Sequence, residues 1–254
     1  MEQAARYKTR MRFTKTGSVR FIGHLDLMRF FQKAIRRAGL NVAYSQGYSP
    51  HQLMSFAAPL GVGATTDGDY IDVEFAPDEA EPDVIMKKLN DALTDEVFIT
   101  EIERMPEGFK NSMSMLESSA YMITEKNGID GSDGKKSFPN NYRERFEEFL
   151  SQDSIIITKK TKKSEKEIDL KPAVIFHAYE QEEFEKMIGE KLPELHTVYE
   201  GESIFLKLPT SSENTVKPEQ VIDTFFNYCN HEPEPWSYQV HRLQMWFKSG
   251  DKHE

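Results

Sequence analysis

The chain has 254 residues, of which 38% are apolar and 29% charged, with a formal net charge of −10. That is enough for one large domain or two smaller ones, each able to close its own core. No apolar run approaches the ~20 residues of a membrane span, and the polar start from Met1 to Lys8 lacks a secretory stretch, so a cytoplasmic location and no membrane partner are expected. The single cysteine, Cys229, excludes an internal disulfide, a Cys-rich zinc site and an iron–sulfur cluster held by this chain alone. Its apolar neighbours mark it as a buried structural thiol.

Charge is unevenly distributed. Between Arg6 and Ser55 stand ten basic residues (Arg6, Lys8, Arg10, Arg12, Lys15, Arg20, Arg29, Lys33, Arg36, Arg37) against one acid, Asp26. Such a basic block in an acidic chain is the footprint expected of a surface that meets phosphates.

In chain order, Tyr7 to Phe13 alternates as a strand with one covered face and one wet, cationic face. Lys15 to Ser18 reads as a turn and Val19 to Ile22 as a short return strand. A helix follows from about Leu25 to Ala38, stopped by Gly39. Its basic residues Arg29, Lys33, Arg36 and Arg37 fall with Asp26 on one arc, and its apolar residues on another. The stretch Ala43 to Leu60 is rich in turn formers yet carries two tyrosines, as an ordered loop does.

Tyr70 to Phe75 reads as a strand, Asp83 to Leu93 as a helix and Val97 to Glu103 as a strand. A weak boundary follows at Pro106 to Ser114. Beyond it come a strand from Ser119 to Thr124, a polar loop from Asn127 to Asn140 and a helix from Tyr142 to Leu150. Strands are expected at Ile155 to Lys160, Glu167 to Leu170, Val174 to Tyr179 and Ser203 to Leu208. A helix from Pro218 to Tyr228 and a strand from Ser237 to Phe247 complete the chain. The expected class is α+β, two ferredoxin-like sandwich halves in tandem, at 1–105 and 115–250, the first with a long inserted loop.

The motifs are concentrated early. KxGxxRF (Lys15, Gly17, Arg20, Phe21), His24-Leu25-Asp26, Arg36 to Leu40, Ser45 to His51 (SQGYSPH), Ser55 to Gly63 (SFAxPLxxG) and Asp69 to Val73 (DYIDV) closely resemble the radical-SAM-linked domain of unknown function. A weaker match at Glu167 to Pro172, with Arg242, extends the resemblance over most of the chain. Gly23, Tyr48 and Gln52 depart from the pattern, where Ser, Phe and Pro are expected; Gly23 removes one potential capping hydroxyl. The family is found beside, or fused behind, a cobalamin-binding radical SAM protein. The resemblance therefore implies a radical SAM partner that carries the iron–sulfur cluster, S-adenosylmethionine and cobalamin, with no cofactor on this chain.

For the site, Arg12, Lys15, Arg20, Arg29, Arg36 and Arg37 are the candidate phosphate contacts. Ser45, Gln46, Gly47 and Tyr48 form a loop suited to hold a phosphate or stack a base, and Tyr44, Tyr48, His51 and His24 are candidates to touch the substrate group. His24, beside Asp26, is also the one candidate general acid or base, although its phase places it toward the apolar side. No His, Cys or carboxylate spacing makes a metal site. A second basic run, Lys159, Lys160, Lys162, Lys163 and Lys166, sits at an apparent hairpin tip.

Three functions fit. The leading one is a non-catalytic accessory module that grips RNA, such as tRNA or rRNA, or another phosphate-rich substrate, and presents it to the radical SAM enzyme. The second is a metal-independent RNA-cleaving or anion-transfer enzyme that uses His24. The third is an adaptor docking an acidic protein surface.

Overall fold

The structure is a computed structural model that describes residues 6–77, 79–126, 137–160, 165–196, 199, 201–211 and 214–248. It is mixed α+β with mostly antiparallel pairing, and it divides into two compact units: Met1–Glu117 with Arg242–Glu254, and Ser118–His241. No helix among the described residues is long and apolar enough to cross a membrane.

The first unit begins with β1 (Tyr7–Lys15), followed by a 3-10 turn (Gly17–Phe21) and α1 (His24–Arg37). After the loop come β2 (Met54–Phe56), β3 (Thr65–Phe75), α2 (Pro82–Ala92), β4 (Ile99–Arg104) and the short α3 (Ser112–Met115). The strand β1 lies between β3 and β4, and β2 pairs with the far side of β3. The resulting order, β4-β1-β3-β2, carries β-α-β-β-α-β connectivity, the two helices closing one face. Alternation along the strands builds the core there: Met11 and Phe13, Ile71, Val73 and Phe75 meet Leu27, Phe31, Ile35, Ile85 and Leu89. Each buried Leu, Ile or Phe adds about 1.5–3 kcal/mol of transfer free energy.

The second unit contains β5 (Leu116–Glu125), which starts two residues before the division, then α4 (Tyr142–Ser151), a separate hairpin of β6 (Ile156–Lys160) and β7 (Glu165–Asp169), and β8 (Phe176–Ala178). It continues through α5 (Gln181–Ile188), β9 (Ser203–Pro209) and α6 (Pro218–Tyr228) to β10 (Tyr238–Phe247), whose last residues belong to the first unit. The order β10-β5-β9-β8 repeats the pattern of the first unit, with the hairpin inserted after α4. Phe138, Phe146, Phe149, Phe184 and Phe225 are among its largest buried rings, and Phe146 and Phe225 meet edge to face at 5.0 Å. Cys229 is buried, and burial pushes its thiol pKa up.

Two expectations are corrected. Val19 to Ile22 forms no return strand, because Glu96 accepts hydrogen bonds from the Ser18 and Val19 amides and from the Ser18 hydroxyl, winding the segment into a 3-10 turn. Gly17 makes this possible: its φ is +51°, and a Cβ there would run into the Glu96 side chain. The cationic face of β1 is not wet either. Ala57, Leu116 and Met245 form a second small core on that side with Tyr70 and Phe247, and Arg10 and Arg12 are buried beside it.

Candidate functional site

The basic residues of the first unit separate into two populations. On the covered face of β1, Arg10 is paired with Asp72 at 3.0 Å, directly opposite it in register, and lies 4.4 Å from the Phe247 ring centroid. Arg12 pairs with Glu101 at 3.1 Å and donates to the Leu243 carbonyl. These cations are neutralised by the neighbouring strands, which suits desolvated guanidinium groups.

Lys15 and Arg20 are also turned inward. Lys15 is 1% exposed and donates to the Arg20 and Ile22 carbonyls, tying β1 to the entrance of α1. Burial pushes its pKa down, Asp69 pulls it back up and Arg242 reinforces the lowering. Asp69 in turn accepts from Arg242 at 2.9 Å and from the Thr66 hydroxyl, and Arg242 reaches the Pro59 carbonyl. Arg20 donates to the Gly17 carbonyl and lies against the Phe21 ring. Pieces of KxGxxRF, SFAxPLxxG and DYIDV therefore meet in one buried polar cluster that holds β1, β3 and the start of α1 together.

The second population is exposed. Arg29, Lys33, Arg36 and Arg37 line the outer face of α1. Arg29 is held by Asp26 at 2.9 Å, and Arg37 donates to the Ala92 carbonyl. Lys33 and Arg36 have no carboxylate partner among the described residues. His24 opens α1 with its ring edge-on to Phe56 at 5.2 Å, so the phase argument for an apolar neighbourhood holds.

The SQGYSPH segment forms a closed loop. Tyr44 bridges Gln52, the Ser45 amide donates to the His51 carbonyl, and the Ser45 hydroxyl sits 2.8 Å from His51 Nδ1 while accepting from the His51 amide. The Gln52 side-chain Nε2 donates to the Gln32 backbone carbonyl of α1 at 3.4 Å, which brings the loop beside the helix. At the tip, Gln46, Gly47 and Tyr48 are exposed, and Tyr48 presents its full ring at 111% relative exposure. Tyr44, half exposed, stands at the base.

The description "Uncharacterized protein conserved in bacteria (DUF2344)" belongs to a family model that matches residues 8–218. The chain belongs to that family. Of the residues described in this site, only Arg242, Leu243 and Phe247 of β10 lie outside the matched span. No curated protein matches the chain. Among solved structures, one similar chain is titled "Crystal Structure of an Unknown Protein from Galdieria sulphuraria"; it is 9% identical with a TM-score of 0.26, over 94% of this chain and 98% of that one.

Sequence reasoning passed over a second polar network, in the second unit. Glu147 Oε1 lies 2.8 Å from His177 Nε2 and accepts from the Tyr179 hydroxyl at 2.8 Å, and the same hydroxyl oxygen lies 3.0 Å from the Arg143 carbonyl. Arg143 bonds Glu180 at 2.7 Å and the Tyr142 hydroxyl at 3.1 Å. Burial would raise the Glu147 carboxyl, but the hydrogen bonds from His177 and Tyr179 outweigh it and leave the pKa lowered. The local signal was the i, i+2 spacing of His177 and Tyr179 together with the i, i+4 spacing of Arg143 and Glu147 on a helix. Of the basic run, Lys159 donates to the Thr215 carbonyl and Lys166 is exposed, while Lys162 and Lys163 lie outside the described residues. No group of metal-ligating side chains occurs among the described residues.

Proposed function

We propose that this protein is a non-catalytic accessory module that binds RNA, or another phosphate-rich substrate, and presents it to a separate radical SAM enzyme that carries the iron–sulfur cluster, S-adenosylmethionine and cobalamin. One observation carries the binding role: the exposed row Arg29, Lys33, Arg36 and Arg37 on α1 stands beside a hydrogen-bonded loop whose tip is a wholly exposed tyrosine. Guanidinium and ammonium groups position a backbone, and an exposed ring stacks an unpaired base. Arg12, Lys15 and Arg20 leave the contact set, because their charge is spent inside the fold. They act instead as the frame that holds α1 and the loop. The radical SAM partner rests on the motif resemblance, and a cytoplasmic site of action follows from it.

The test is the salt dependence of binding to a fluorescent single-stranded RNA, measured by anisotropy. Four phosphate contacts give a log–log slope of about −3. Replacing Lys33 and Arg36 together by Glu should flatten that slope and weaken binding. Salt-independent binding, or none, would overturn the reading.

A further inference from the structure

The second unit contains a cleft of about 590 Å³ that the proposed RNA-binding role does not use. Apolar Met122 and Phe205, the rings of Tyr179 and Tyr199, and the charged Arg143 and Glu202 are among the residues that line it. A second recess of about 410 Å³, formed around residues 138–141, is also lined by Glu202. Glu202 therefore borders both spaces.

The charges around the cleft are not equivalent. Arg143 is already committed to Glu180 and to the Tyr142 hydroxyl. Glu125, another lining carboxylate, accepts from the Ser137 and Phe138 amides. Glu202 has neither a hydrogen-bond nor an ion-pair partner for its side chain among the described residues. An incoming anion would find the one lining guanidinium occupied and an unpaired carboxylate among the lining residues. A cation would find a counter-ion, ring faces and an apolar wall, the three features that hold an ammonium on an alkyl chain. The volume is that of an ordinary small-molecule site.

We propose that this cleft binds an alkylammonium of the polyamine class, with Glu202 as its counter-ion and Tyr179 and Tyr199 against its chain. The ligand is opposite in charge to the cargo of α1, so this site stands or falls independently of the RNA reading.

Calorimetric titration of the full chain with spermidine at physiological salt tests the assignment. A saturable single site is expected, weakened roughly tenfold, or about 1.4 kcal/mol, by Glu202→Gln. Glu103→Gln, which removes an exposed carboxylate from the first unit, should leave the affinity unchanged. A neutral diol of matched length should not compete. Equal weakening by both Gln variants would show general attraction to an acidic protein and overturn the site, as would the absence of saturable binding at millimolar spermidine or equal affinity for the diol.

Discussion

The Arg242 guanidinium donates to the Asp69 carboxylate across 2.9 Å, and the two side chains, 173 positions apart in sequence, are 5% and 2% exposed. A buried pair of this kind contributes little net stability against an apolar replacement, yet each partner depends on the other. Lys15 adds a third charge close enough for Asp69 to raise its pKa. Asp69→Asn or Arg242→Met should therefore each cost roughly 3–5 kcal/mol by denaturant unfolding, because either leaves uncompensated charge inside the fold. The paired replacement Asp69→Asn with Arg242→Met should recover part of that loss. Additive losses in the double variant would show that the two residues are not coupled.

Glu96 predicts a pH dependence. Hydrogen bonds from the Ser18 amide, then the Ser18 hydroxyl, hold its pKa below the ordinary carboxylate value, with further help from Val19 and Arg20 against burial. A folded pKa below the unfolded one contributes stability that is fully present above the unfolded value of about 4.3 and is lost as pH falls through the folded value. The stability gap between the wild type and Glu96→Gln should accordingly be constant near neutrality and shrink in acid. A gap that does not change with pH would remove Glu96 as the clamp of the 3-10 turn.

Tyr48→Ala and Lys33→Glu separate the two parts of the proposed RNA contact. Neither side chain is buried, so thermal stability should stay within about 0.5 kcal/mol. Tyr48→Ala should weaken single-stranded RNA binding by about 1–3 kcal/mol at every salt concentration, the loss of one stacked base. Lys33→Glu should act mainly at low salt and reduce the slope. Identical effects of the two on slope and affinity would mean that Tyr48 does not stack.

What could be read from the chain and what could not divides along the range of the interactions. The helix α1 was legible because its apolar spacing, its basic arc and Gly39 all lie within fifteen residues. Alternation in Tyr7 to Phe13 identified the two faces of β1 but not that the second is covered, since Phe247 and Asp72 arrive from distant strands. Arg12 and Lys15 were consequently read as free cations. Long-range pairing also hid β2, whose Ser and Pro-rich surroundings resemble a loop. The helix α5 was missed although Gly189, at φ +78°, ends it as a C-terminal glycine should. In the site, the loop and the helix were each visible, whereas their adjacency through Gln52 and Gln32 required coordinates.

His24→Ala distinguishes a structural histidine from a catalytic one. Its ring packs on Phe56, itself 2% exposed and in edge contact with Phe13 and Phe31. Loss of the ring should lower stability by about 1–2 kcal/mol and leave RNA affinity within twofold, the expectation for a lost packing contact at the edge of a core. RNA cleavage by the wild type that disappears in this variant, with stability retained, would instead establish the enzyme reading.

The Tyr179 hydroxyl should titrate late. Burial is the largest single cause of its raised pKa, followed by the hydrogen bond to Glu147 and then by that carboxylate's charge. Because burial remains when the carboxylate is lost, Glu147→Gln should lower the Tyr179 pKa without returning it to the ordinary value near 10. The folded pKa lies above the unfolded one, so the stabilisation is present below about pH 10 and declines as the pH rises further toward the folded value. Alkaline difference absorbance at the phenolate band, with Tyr179→Phe to assign the group, measures both shifts. A full return to ordinary tyrosine behaviour in Glu147→Gln would show that the carboxylate, rather than burial, controls this hydroxyl.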